Sequence, residues 1–169
     1  AAAPLLDQAA EEIGSLVHRE MGKPMSQAVG EARGAAQALA RHVELARQAV
    51  EPRVFREGRD ETVLRHDPLG VVAVITPWNF PLWMTASLAY PALLVGNAVV
   101  HKPSEKTPLA GRRFAEILAG VLPRGVLEIL AGGGDVGREL VESDVDMVAF
   151  VGSQDTGRKI MAACAKGLK

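Results

Sequence analysis

The spacing of apolar residues along the chain changes near Pro68. Before that point they recur with helical spacing, which predicts one helix from the N-terminus to Gly22–Pro24 and a second from about Met25 to Val50. Beyond Pro68, short apolar runs alternate with helical segments, a pattern typical of right-handed crossovers between parallel strands. The sequence therefore predicts an α/β fold in which an open parallel sheet carries helices on both faces, preceded by an N-terminal helical segment.

Residues 53–67 join these two regions and carry mixed charge. A turn at Gly58–Asp60 separates two short polar strands, a ribbon that suits a sheet edge or a subunit contact. After Pro68 the predicted strands are Val71–Ile75, Ala98–His101, Val126–Leu130 and Met147–Phe150. The predicted helices lie within Leu82–Leu94, within Pro108–Ala119, from near Asp135, and from about Gln154 to Ala165. We expect residues 1–52 to pack on a domain formed by residues 53–169.

Composition excludes several classes of function. The 169 residues have 48% hydrophobic content, enough for a substantial core. A net charge of −1 and 4% aromatic residues argue against a nucleic-acid partner. The four histidines show no metal-ligand spacing, so we expect no metal site. The single cysteine, Cys164, cannot form an internal disulfide, and a reducing cytoplasm fits best.

Residues 68–100 contain no charged side chain, which raises the question of a membrane span. Prolines and asparagines interrupt the stretch, and an unbroken spanning helix would leave backbone groups without hydrogen bonds in lipid. A strand, loop, helix, turn and second strand account for these residues better. No secretory signal is recognisable either, because no positively charged start followed by an apolar core and a small-residue cleavage site appears. We therefore expect no membrane partner.

Three loops follow predicted strands and could carry chemistry. In Thr76–Pro81 the prolines can stop the strand and start the helix, with Asn79 as its cap. In His101–Pro108 the charges suit a solvated turn with Thr107 as a helix cap, yet an acid at this place can also bind ribose hydroxyls. The strings Ala131–Gly137 and Phe150–Gly157 are not phosphate-binding P-loops, but as strand-to-helix junctions they present backbone N–H groups that suit a pyrophosphate.

The strings Gly70–Pro81 and Asn97–Pro108 closely resemble the aldehyde dehydrogenase family. The resemblance implies a Rossmann-like domain that binds NAD, with the Asn79 amide in the oxyanion hole. It also implies that Lys102 and Glu105 bind the adenosine ribose, where a carboxylate favours NAD over NADP. Val151 replaces the usual threonine of a Phe-Thr-Gly-Ser string. With Asn79 as the catalytic residue, the expected cofactor-binding set is Ile75, Thr76, Pro77, Trp78, Lys102, Ser104, Glu105, Gly133, Gly137, Phe150, Gly152, Ser153 and Thr156.

In that family a cysteine thiolate adds to an aldehyde, hydride passes to NAD, and water releases the acid. The resemblance places the nucleophile and a glutamate-leucine-glycine-glycine motif beyond the part of the family that these residues match, so residues 53–169 would be a partial NAD-binding domain without the catalytic domain. Cys164 lies in a helix of small residues with no base nearby in sequence, and we interpret it as a packing residue. We expect the chain to be inactive alone.

Two functions remain open at this point. The chain is either the cofactor-binding part of an aldehyde dehydrogenase acting on a small-molecule aldehyde, or a non-catalytic nucleotide-binding or assembly fragment. In either case we expect an apolar edge and an apolar face, including parts of Phe80–Val100, to lack cover. We therefore expect a homo-oligomer or pairing with a complementary polypeptide.

Overall fold

The computed structural model describes residues 1–169, which form seven helices and six strands. The N-terminal segment contains α1 (Ala2–Gln8), α2 (Ala10–Met21) and α3 (Met25–Val50), followed by β1 (Arg53–Glu57) and β2 (Asp60–Leu64). The remaining elements are β3 (Val71–Ile75), α4 (Pro81–Leu94), β4 (Ala98–Lys102), α5 (Pro108–Ala119), β5 (Leu127–Ile129), α6 (Gly134–Glu142), β6 (Met147–Phe150) and α7 (Gln154–Cys164). The predicted α/β fold with an N-terminal helical segment is confirmed. The first predicted helix is interrupted at Ala9.

The main sheet has four parallel strands in the order β5-β4-β3-β6. Ile75, the last residue of β3, pairs with Lys102 of β4 on one side and with Phe150 of β6 on the other. The chain thus moves outward from β3 to β5 and then returns to the opposite side of β3. In open α/β sheets such a reversal opens a crevice at the carboxyl ends of the two strands that flank it.

The two faces of the sheet are buried to different degrees. On one face, 22 buried residues join the sheet to α4, α5 and the N-terminal helices, whereas on the other only Ala73, Leu140 and Val145 form a buried cluster. Helix α4 is largely covered because α3 packs along it. Phe80, Trp83 and Leu94 are nevertheless exposed, so parts of Phe80–Val100 remain uncovered, as expected. Less cover is found on the α6 side and at the β6 edge, where Met147 is 41% exposed.

The N-terminal segment packs on α4 and α5 through close contacts. Gly14 of α2 lies directly against Val29 of α3, so close that a Cβ on Gly14 would lie 2.7 Å from a Val29 methyl carbon. The Tyr90 hydroxyl of α4 donates a hydrogen bond to the Ala35 carbonyl of α3 at 3.0 Å, and its ring stacks on Phe114 of α5. Helix α3 therefore depends on its neighbours, as the weak helix propensity of its glycines, Gly30 and Gly34, predicts.

Strands β1 and β2 form a separate antiparallel hairpin with Gly58 at its turn in a positive-φ conformation (62°). The two short strands are confirmed, and all ten of their residues are exposed. The exposed side chains include Val54, Phe55, Val63 and Leu64. A two-stranded hairpin is only marginally stable in water by itself, so this surface suits a contact with another chain.

None of the helices combines the length and the apolar character that a membrane crossing requires. The uncharged stretch from Pro68 to Val100 folds instead into β3, α4 and most of β4.

Candidate active site

Helices α4, α5, α6 and α7 each begin soon after a strand of the parallel sheet, so all four N-termini lie at its carboxyl edge. The loops that connect strand to helix meet there. Because the strand order reverses between β3 and β6, the crevice lies between the loop that follows β3 and the loop that follows β6. The strings singled out in the sequence surround this place.

The loop after β3 has one buried and one exposed end. Thr76 is buried, and its backbone N–H donates to the Lys102 carbonyl at 3.3 Å. Trp78, Asn79 and Phe80 are exposed. The side-chain amide of Asn79 does not cap α4, because Phe80 is the N-cap residue and supplies no side-chain hydrogen bond. The predicted cap was therefore wrong, and the Asn79 amide remains free to donate to a ligand.

A glutamate from α3 takes the place of the predicted cap. Glu31 Oε1 accepts hydrogen bonds from the backbone N–H groups of Leu82 at 2.9 Å and Trp83 at 3.1 Å. Its other carboxylate oxygen pairs with the ammonium of Lys23, which also donates to the Asn79 carbonyl at 2.8 Å. A charged residue within the buried stripe of small residues on α3 is the signal that could have identified Glu31.

A second glutamate, Glu20, caps the N-terminus of α5 in the same way. Thr107 is the N-cap residue as predicted, but its hydroxyl has no partner. Glu20 of α2 accepts instead from the backbone N–H groups of Leu109 at 2.8 Å and Ala110 at 2.9 Å. Carboxylates from the N-terminal segment therefore cap the N-termini of both α4 and α5.

A buried histidine links the first two loops. His101 Nε2 lies 3.0 Å from Thr76 Oγ1 and 3.1 Å from Thr85 Oγ1. The Thr85 hydroxyl donates to the Pro81 carbonyl at 2.6 Å. Burial, together with the neighbouring Lys102 ammonium, lowers the pKa of His101 to about 3. The ring is therefore neutral and holds the base of the Thr76–Pro81 loop as a hydrogen-bonding group.

This buried neutral histidine predicts acid sensitivity. An unfolded chain protonates His101 near pH 6.5, whereas the folded chain does so only near pH 3. Between these values the unfolded state binds more protons, so stability falls as pH falls, by up to about 1.4 kcal/mol per pH unit. We expect His101→Gln to weaken this dependence in denaturant titrations between pH 7 and pH 4. The exposed His66→Gln is the control, and equal pH slopes for the two variants would contradict the prediction.

The second loop places a buried cation beside an exposed acid. Lys102 Nζ donates to the Pro103 carbonyl at 3.1 Å and lies 3.9 Å from Glu105 Oε2. Burial lowers the pKa of Lys102, while the carboxylates of Glu105 and Asp135 act in the opposite direction. Ser104 Oγ accepts from the Lys106 backbone N–H at 3.3 Å and fixes the turn.

The third feature consists of the starts of α6 and α7. Gly133 precedes α6 and provides no side-chain cap. Ser153 Oγ accepts from the Thr156 backbone N–H at 3.3 Å and donates to the Thr156 hydroxyl at 2.9 Å. The Phe150 ring lies beside Gly152, where a Cβ would be only 2.4 Å from the ring. A side chain at position 152 would therefore displace the Phe150 ring.

Several contacts bring these loops together. Ile75 pairs with Phe150 across β3 and β6. Lys106 Nζ lies 5.3 Å from the centroid of the Trp78 ring. A Cβ at Gly137 would lie 3.4 Å from the Lys102 side chain, so α6 approaches the second loop closely.

The remaining predicted residue, Pro77, lies half-buried between Thr76 and Trp78. Sequence reasoning missed Lys23, Glu31, Glu20 and the network around His101.

Cys164 is buried at the end of α7, consistent with a packing residue. The chain contains no group of three or more histidine, cysteine or acidic side chains that could hold a metal ion.

Known proteins share the sequence pattern and the fold of this chain. The N-succinylglutamate 5-semialdehyde dehydrogenase 1 of Caulobacter vibrioides is 44% identical over 161 residues, which are 92% of this chain and 33% of that protein. Among solved structures, an NAD-dependent aldehyde dehydrogenase from Sinorhizobium meliloti superposes with a TM-score of 0.93 at 35% identity. That match covers 99% of this chain and 34% of the other.

A second solved structure, NADP-dependent glyceraldehyde-3-phosphate dehydrogenase from Bacillus halodurans in complex with NADP, has a TM-score of 0.89 at 32% identity. It covers 96% of this chain and 36% of the other. The chain thus spans about a third of the length of the curated relatives it matches. The sequence profile described as "Aldehyde dehydrogenase family" matches residues 1–169. The chain belongs to the aldehyde dehydrogenase family.

Proposed function

We propose that residues 53–169 are part of the NAD-binding domain of an aldehyde dehydrogenase and that residues 1–52 are a helical segment packed on it. The complete polypeptide, encoded by the reading frame that contains these 169 residues, would oxidise an aldehyde to a carboxylic acid. One observation carries the proposal: the strand order reverses between β3 and β6, beside the loop that contains Asn79. A crevice of this kind is where dinucleotides bind in open α/β sheets.

The helix N-termini restrict where the pyrophosphate can bind. Glu31 and Glu20 already occupy the starts of α4 and α5, and their negative charge opposes an anion there. Helix α6 has no side-chain cap, and α7 is capped only by the neutral Ser153. Asp135 and Asp155 lie in their first turns, but neither carboxylate occupies the first backbone N–H groups as Glu31 and Glu20 do. Backbone N–H groups near Gly133, Gly152 and Ser153, together with the Thr156 hydroxyl, would hold the phosphates.

The second loop would bind the adenosine ribose. The Glu105 carboxylate is exposed and can accept hydrogen bonds from both ribose hydroxyls, while the Lys102 ammonium lies beside it as a donor. Ser104 fixes the loop, and Gly137 leaves room for the Lys102 side chain. The residues present therefore fit an adenosine ribose.

The first loop would bind the reactive end of the cofactor. Ile75, Thr76, Pro77 and Trp78 would line the nicotinamide from the β3 side, and Phe150 would line it from the β6 side. When bound, NAD accepts the hydride that the aldehyde carbon loses on oxidation. The exposed Asn79 amide would donate a hydrogen bond to the aldehyde oxygen as negative charge develops on it.

Glu105 would determine the choice between NAD and NADP, both of which occur among the relatives. A carboxylate repels a 2′-phosphate and so weakens the binding of NADP relative to NAD. We expect Glu105→Ser to lower the ratio of the NADP dissociation constant to the NAD dissociation constant by about tenfold. Titration of both cofactors into the complete polypeptide measures the ratio. Glu142→Ser, which removes the same charge at the far end of α6, is the control. An unchanged ratio in Glu105→Ser would remove this residue from the ribose site.

The exposed hairpin supports a further part of the proposal. Strands β1 and β2 expose four large apolar side chains, more than a free hairpin tolerates well. We propose that another copy of the chain, or a complementary polypeptide, covers it.

The lone buried Cys164 and the absence of paired cysteines are compatible with the cytoplasm as the compartment.

The proposed function is tested by incubating the complete polypeptide with NAD and a panel of aldehydes. We expect NADH to form with at least one aldehyde. A folded polypeptide that binds NAD but forms no NADH would favour the alternative of a non-catalytic nucleotide-binding protein. Failure to bind either dinucleotide would overturn the cofactor assignment as well.

A further inference from the structure

Two buried charges lie beneath the loop that contains Asn79. The side chains of Lys23 and Glu31 are only 8% and 4% exposed, and they pair with each other. Lys23 comes from the turn between α2 and α3, and Glu31 comes from α3. Both are far from the loop in sequence, yet Lys23 makes a hydrogen bond to the loop backbone and Glu31 to the first turn of α4 directly after it.

These bonds hold the loop on both sides of Pro81. On the N-terminal side, Lys23 Nζ donates to the Asn79 carbonyl at 2.8 Å and lies 4.0 Å from the centroid of the Phe80 ring. On the C-terminal side, Glu31 accepts from the backbone N–H groups of Leu82 and Trp83. The pair therefore fixes the backbone that determines where the Asn79 side chain points.

The lysine itself is held in place. His18 Nδ1 lies 2.8 Å from the Lys23 carbonyl, which anchors the turn from the α2 side. Burying an ion pair gives little net stability, because loss of hydration offsets the attraction between the charges. The remaining hydrogen bonds of this buried pair go to the loop that contains Asn79 and to the first turn of α4 directly after it, so the pair fixes where the loop joins the helix.

We propose that Lys23 and Glu31 are positioning residues for the Asn79 amide. Neither touches the reacting atoms; they act through the loop backbone. The inference rests on the proposed function, since it assigns an orientation to the group that would stabilise the oxyanion. A displacement of about 1 Å at such a group can cost about 10²-fold in rate.

A double-mutant cycle in the complete polypeptide tests this inference. We expect Lys23→Met to lower kcat by about tenfold or more, with the KM for NAD nearly unchanged. In an Asn79→Ala background the same change should have almost no further effect, because the group that Lys23 positions is gone. Lys23→Arg, which keeps a charged donor, should recover part of the lost activity. The exposed Lys159→Met is the control and should behave as the unmodified protein.

A second measurement does not depend on catalysis. Trp78 and Trp83 are the two tryptophans of the chain, and in a Trp83→Phe background Trp78 alone reports on the loop. We expect acrylamide to quench Trp78 more strongly in Lys23→Met and Glu31→Gln than in Lys159→Met. In Glu31→Gln the side-chain amide oxygen can still accept hydrogen bonds from the first N–H groups of α4. This variant therefore tests the inference if Lys23→Met does not fold.

Three outcomes would overturn the inference. One is normal turnover in folded Lys23→Met, whatever the quenching of Trp78. Another is a double variant, Lys23→Met with Asn79→Ala, whose loss of kcat equals the product of the two single losses. Lys23 would then act independently of Asn79. Normal turnover in Asn79→Ala would overturn both the proposed role of Asn79 and its positioning, whereas normal turnover in Lys23→Met alone would overturn only the positioning.

Discussion

Replacement of Asn79 by alanine in the complete polypeptide is expected to lower kcat by about 10²- to 10³-fold, the usual effect of removing one oxyanion donor. The affinity for NAD should remain nearly unchanged, because the Asn79 side chain is exposed and does not support the fold. Initial rates over a range of aldehyde concentrations, together with an NAD titration, separate the two quantities.

Asn97→Ala is the matched control, because the Asn97 amide has a structural role. Its Oδ1 accepts from the backbone N–H groups of Leu69 at 2.7 Å and Gly70 at 3.0 Å, and its Nδ2 donates to the Ala92 carbonyl at 3.1 Å. This variant should lose thermal stability while its folded fraction keeps its turnover. Normal turnover in Asn79→Ala would contradict the assignment, and an equal loss of NAD affinity would show that Asn79 only shapes the loop.

The largest expected effect on stability is at the contact between α2 and α3. A Cβ on Gly14 would lie 2.7 Å from the Val29 side chain and 2.8–2.9 Å from its backbone, and the backbone cannot move aside easily. We expect Gly14→Ala to lower the free energy of unfolding by about 1–3 kcal/mol. This would occur although alanine is favoured over glycine within a helix by about 1 kcal/mol. Denaturant titration measures the change.

Gly30→Ala is the control on the neighbouring helix. Nothing lies within 4 Å of the position that its Cβ would take, so only the helix propensity changes. This variant should be more stable by up to about 1 kcal/mol. Effects of the same sign in the two variants would contradict the tight packing of α2 on α3.

Local patterns were sufficient for most of the secondary structure. The bounds of β3 and β6 agree with the prediction because each is a short apolar run that ends at loop-forming residues. The start of α7 at Gln154 also agrees with the prediction. Strand β4 extends one residue further than predicted, to Lys102, because Lys102 pairs with Ile75.

Contacts between distant segments could not be predicted in this way. Asn79 has the residue type of a helix cap, and Thr107 has both the type and the position, yet glutamates more than 45 residues earlier in the chain bind the free N–H groups. Propensity rules describe neighbours along the chain, whereas these carboxylates arrive through the packing of α2 and α3. The pairing of Lys23 with Glu31 is likewise determined by tertiary structure.

We propose that the crevice between β3 and β6 binds NAD beside Asn79. A crystal structure of the complete polypeptide with NAD would show where the cofactor lies. We predict the nicotinamide against Ile75–Trp78, the pyrophosphate at the starts of α6 and α7, and the adenosine ribose between Lys102 and Glu105. A dinucleotide bound at the starts of α4 or α5, or anywhere outside this crevice, would contradict the account.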